Sequence, residues 1–64
     1  MTQSDTSFNQ VIFAEDDPAF RSTIVKYLQK KGYQVTSVDS AIEFYREFEK
    51  QEYSIAIIDI GLPD

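Results

Sequence analysis

The chain has 64 residues, with 6 Lys+Arg against 11 Asp+Glu, a formal net charge of −5, no cysteine and no histidine. That length holds one domain, and a chain of this size hides only ~60% of the surface it exposes when unfolded, so marginal stability is expected. Absent thiols and imidazoles exclude disulfides and the usual zinc sites; the acidic balance argues against a nucleic-acid surface; no stretch nears the roughly 18 apolar residues of a membrane span.

The N-terminus lacks the basic-then-apolar pattern of a secretory signal, so a soluble cytoplasmic protein is expected. Residues 1–9 are polar around a single Phe8 and read as a flexible tail, with the domain running over 10–64. Val11-Ile12-Phe13-Ala14 is a short apolar run, read as a buried strand, and it ends in Glu15-Asp16-Asp17. Pro18 suits the first position of a helix and Asp17 its N-cap. Phe20, Ile24, Tyr27 and Leu28 recur at helical spacing, and Gly32 suits the residue that ends the helix.

Val35, Thr36 and Val38 mark a more exposed strand over 33–38. Ser40 followed by Glu43 is a capping box, and Ala41, Phe44, Tyr45 and Phe48 make a second helical stripe. Ile55-Ala56-Ile57-Ile58, with three β-branched residues, reads as a strand buried on both faces, which ends at Asp59 before the breakers Gly61 and Pro63. Strands alternating with helices imply an α/β fold: a parallel sheet with right-handed crossovers, covered on both faces.

Two strands therefore end in acid, one at Glu15-Asp16 and one at Asp59. If they are neighbours in a parallel sheet, their carboxylates converge at the edge where such sheets place ligands. Carboxylates that close repel and raise one another's pKa unless a cation joins them. Mg²⁺ is the economical partner, because it needs only one or two carboxylates and keeps its waters. It can also screen a carboxylate from a phosphoryl group, which makes Asp59 a candidate nucleophile forming an aspartyl-phosphate. An acidic helix N-terminus, favourable to the helix dipole, explains Glu15, Asp16 and Asp17 as well, and for Asp17 it is the preferred reading. Asp59 could equally cap a turn.

The run from Val11 to Pro18, with Asp59-Ile60-Gly61-Leu62-Pro63-Asp64 downstream, closely resembles the receiver domain of two-component response regulators over residues 10 to 64. The resemblance implies a flavodoxin-like fold with strand order 2-1-3-4-5, of which this chain would hold the first three strands as 2-1-3. It also implies that Asp59 is the phosphoryl acceptor, served by a sensor histidine kinase or a phosphotransfer protein. Asp16 matches the direct Mg²⁺ ligand, Glu15 the acid acting mostly through water, and Gly61 the position whose backbone carbonyl also binds the metal. The family's Ser/Thr after the fourth strand, its aromatic switch residue and its Lys after the fifth strand have no counterpart in these 64 residues. A metal-dependent phosphatase of another aspartyl-nucleophile type would place a second acid two residues after Asp59, where Gly61 stands, and is set aside.

In the order 2-1-3 the third strand would be an edge, with apolar patches around Ile55 and Ile57. Two functional expectations follow from different classes. One is a phosphoacceptor, not an enzyme in the turnover sense, working with Mg²⁺. The other is a non-catalytic fragment acting by partner binding or as a homodimer paired through the third strand.

Overall fold

The computed structural model describes residues 6–59. They form a 3-10 turn (Thr6–Asn9), strand β1 (Gln10–Glu15), helix α1 (Pro18–Lys30), strand β2 (Gln34–Val38), helix α2 (Ala41–Phe48) and strand β3 (Ile55–Asp59). The strands make one parallel sheet in the order β2-β1-β3, the first three strands of a flavodoxin-like sheet, as expected. Val11 lies opposite Val35 on one side and Ile55 on the other, and Glu15 ends the ladder opposite Asp59. Because the two crossovers run in opposite directions across the sheet, right-handed connections put α1 and α2 on opposite faces.

The core is built on β1, whose residues 11–15 are all buried. Alternation sends Ile12 and Ala14 to one face, where they meet Val38 and Phe44 with Tyr53 packed alongside. Val11 and Phe13 go to the other face, and both are fully buried there. Three rings cover the path from α2 to β3. Phe44 stacks on Phe48 at 5.6 Å, and Phe48 on Tyr53 at 6.2 Å.

The local stop and start signals form as the residue types require. Asp17 caps α1, its Oδ1 accepting from the Ala19 amide at 3.1 Å, with Pro18 following. At the other end Gly32 takes φ +97°, the Gly32 amide donates to Gln29 O and the Tyr33 amide to Leu28 O, which is a Schellman ending. Ser40 caps α2 by accepting from the Glu43 amide at 3.2 Å. Only that half of the expected capping box is made, because the Glu43 carboxylate turns forward to Arg46 at 2.9 Å.

Three expectations need correction. The inward stripe of α1 is Arg21, Ile24, Val25 and Leu28, at i, i+3, i+4 and i+7, while Phe20 and Tyr27 are 45% and 57% exposed. The helix is rotated so that its β-branched residues meet the sheet, and the Tyr27 ring instead lies under the Lys31 ammonium at 5.4 Å. On α2, Tyr45 points outward, its ring edge-on to Phe44. The third is β3, expected to be buried on both faces. Ile55 and Ile58 are exposed, Ile58 at 58%, and only Ile57 is half-buried. The helices pack mainly on β1 and β2, and Ile55 and Ile58 are left exposed on opposite faces of the edge strand β3. Of the expected tail, residues 6–9 form a turn in which the Phe8 carbonyl accepts from Ser54 Oγ at 2.9 Å, while Asn9 Nδ2 donates to Gly32 O at 3.2 Å. Residues 1–5 of that tail lie outside the described residues.

The Schellman ending supplies a clean test. A Cβ on Gly32 would meet nothing within 4 Å, so its cost is conformational alone. Gly32→Ala should destabilise the chain by about 1 kcal/mol, seen as a lower urea midpoint at unchanged slope by circular dichroism.

Candidate functional site

The carboxyl ends of β1 and β3 deliver two acids side by side. Glu15 and Asp59 are register partners on adjacent parallel strands, which lie about 5 Å apart and point matched residues to the same face. Glu15 is 5% exposed, whereas Asp16, Asp17 and Asp59 are open to solvent. The Glu15 side chain is held from below, its Oε2 accepting from the Asp17 amide at 3.0 Å. That hydrogen bond is the largest single influence on the Glu15 carboxyl and lowers its pKa. It is outweighed by burial, by a hydrogen bond with the Asp16 side chain and by the charges of Asp59 and Asp16, so the pKa stands raised.

A raised carboxyl between two other acids is what an excess of negative charge produces, and a divalent cation relieves it. The structure brings Glu15, Asp16 and Asp59 to one end of the sheet, but among the described residues no three acids converge into a ready-made metal cage. Gly61, expected to lend a backbone carbonyl, lies outside the described residues. Away from the acids, a groove of about 590 Å³ lies beside β2, lined by Arg21, Thr36, Ser37, Val38, Asp39, Glu43 and Glu47.

One neighbour of the acidic turn escaped the sequence reading. Arg21 Nη1 donates to the Glu15 carbonyl oxygen at 2.7 Å. The signal was available: Arg21 sits one turn after the N-cap, and helical side chains lean back towards the N-terminus.

Comparisons with known proteins agree with this geometry. Residues 11–64 match the family described as response regulator receiver domain. The chain is 34% identical over 55 residues to the response regulator receiver protein CpdR of Brucella abortus, covering 86% of this chain and 46% of that protein. It is 35% identical over 54 residues to the transcriptional regulatory protein GltR of Pseudomonas aeruginosa, covering 84% of this chain and 22% of that protein. The chain thus spans about half the length of the first relative, and less of the second. No solved structure matches it. Among the described residues no helix is long and apolar enough to cross a membrane. With the acid-tipped strands adjacent in the order 2-1-3 and the family match running over 11–64, the chain belongs to the response regulator receiver domain family.

Proposed function

We propose that this chain carries the phosphoacceptor site of a cytoplasmic two-component phosphorelay, with Asp59 as the acceptor. The register pairing of Glu15 with Asp59, beside Asp16, is the observation that carries the reading. An Asp59 carboxylate oxygen attacks the phosphorus of a phosphohistidine on a sensor kinase or phosphotransfer protein. A P–O bond forms, the P–N bond breaks, and the imidazole leaves with the electron pair and takes up a proton. Glu15, Asp16 and Asp59, with the Gly61 carbonyl, would hold Mg²⁺, whose chemistry here is to screen carboxylate from phosphoryl charge. Exposure of Asp59 leaves it open to a partner's phosphoryl group, while the Asp17 amide keeps the Glu15 carboxylate fixed beside it. The chain acts as acceptor in this scheme rather than as a turnover enzyme, and its net charge of −5 gives nucleic acid no purchase on this segment.

Incubation with Mg²⁺ and a small phosphodonor should give one phosphoryl adduct by intact mass, absent from Asp59→Asn. A folded chain that gains no adduct would overturn the reading. Protonation sets the pH dependence. Glu15 takes up its proton at higher pH than an ordinary glutamate, and the neutral acid no longer attracts a cation. Mg²⁺ affinity should therefore fall as pH drops through that raised value, and Glu15→Gln should remove this part of the dependence. In Mg²⁺-free buffer the folded chain binds that proton more tightly than the unfolded chain, so stability should rise on acidification through the same window.

A second reading is favoured by β3. Its exposed Ile55 and Ile58 lie on a strand with no outer neighbour among the described residues, a template for pairing with a second copy. On this reading the chain is a homodimer through β3. Sedimentation should show concentration-dependent dimers that Ile58→Lys shifts towards monomer. A folded monomer at micromolar concentration would sink it.

A further inference from the structure

We infer that Arg21 is a positioning residue for the acidic turn, its side chain holding the carbonyl of Glu15 next to Asp16. The inference rests on the phosphoacceptor reading above only for the identity of the cation.

One side-chain hydrogen bond makes the contact: Arg21 Nη1 donates to the Glu15 carbonyl at 2.7 Å, while the Arg21 backbone amide makes the ordinary first helical bond to the Asp17 carbonyl at 2.8 Å. The turn closes on itself through the Asp17 amide on Glu15 Oε2 and the Ala19 amide on Asp17 Oδ1. Asp16, exposed at the middle of this three-residue turn, has its backbone fixed from both sides. The Glu15 carbonyl needs a partner because the last β1–β2 register pair is Ala14 with Val38, after which β2 gives way to the cap of α2.

The alternative for a half-buried arginine is an ordinary charge pair. Asp39, Glu43 and Glu47 line the same groove, yet the Glu43 and Glu47 carboxylates pair with Arg46 and Lys50. Among the described residues Arg21 makes no ion pair within 4.0 Å. The guanidinium is spent on backbone, which is the role of a group that holds a ligand-bearing turn in shape.

Clamping and simple electrostatics predict opposite signs. Removing a cation near three acids should tighten Mg²⁺ binding by Coulomb attraction alone. Loss of a positioning contact should weaken it, by about tenfold as is usual for groups that support metal ligands. Mg²⁺ affinity by calorimetry on the 64-residue chain should thus fall about tenfold in Arg21→Met. It should recover in large part in Arg21→Lys, which keeps a donor, and stay near the parent value in Lys26→Gln, which removes equal charge from an exposed position of α1. Unchanged or tighter binding in Arg21→Met would overturn the proposal. Amide exchange reads the clamp without metal: the Asp17 and Ala19 amides should exchange several-fold faster in Arg21→Met while those of β2 and α2 keep their rates. Equal rates at 17 and 19, or a uniform rise across the chain, would overturn it. If the parent chain binds no Mg²⁺, the phosphoacceptor reading fails, and the exchange rates still decide on Arg21.

Discussion

Parallel pairing of β1 on both sides is the constraint on which the rest depends. One strand is buried along residues 11–15 because it has a neighbour at each edge and a helix over each face. Those conditions remove water from Val11, Ile12, Phe13 and Ala14, and they also carry Glu15 into the same dry environment. The register that aligns Val11 with Ile55 aligns Glu15 with Asp59 four residues later. The pairing of these two acids is thus a consequence of the hydrophobic ladder, and a one-residue slip would send Asp59 to the opposite face.

This arrangement sets the strand's packing against its chemistry. Burying an acid beside two others disfavours its charge, which is why the Glu15 carboxyl stands raised despite its bond from the Asp17 amide. A sheet of three short strands has little stability to spare for such a site. The turn answers by spreading the load over local contacts: the Asp17 cap, the Arg21 bonds and the first turn of α1 all act within seven residues of chain. The surface ion pairs Glu43–Arg46 and Glu47–Lys50 are exposed neighbours along α2 and contribute little by comparison.

The features legible in the sequence are those whose cause is local. Asp17 before Pro18, Gly32 after the last apolar residue and Ser40 before Ala41 each meet a backbone requirement within a few residues, and each does what its type suggests. Two apolar runs ending in acid also announced β1 and β3, whose parallel register sets Glu15 beside Asp59. Readings that depend on what lies across space fared differently. Phe20 and Tyr27 fit the helical period as well as Val25 does, and only the sheet's position decides which stripe turns inward. The apolar run of β3 correctly announced a strand but not its cover, since composition records what a strand tolerates and not which neighbours it has. Glu43 pairing forward with Arg46 shows the same limit on a smaller scale, two local partners competing for one carboxylate.

Two of the exposed apolar side chains, Ile55 and Ile58, lie on opposite faces of β3, the edge strand of the sheet, and Asp59 closes the end of the same strand. An edge and an end face different directions, so a surface laid along β3 leaves the approach to the carboxylates open. It would nonetheless take water from around Asp59, the acid that is now exposed. Desolvation disfavours a lone carboxylate and strengthens its attraction to a cation in the same step. Covering β3 would therefore do more than hide apolar area: by removing water from the end of the strand it would change how strongly the acids there attract a cation.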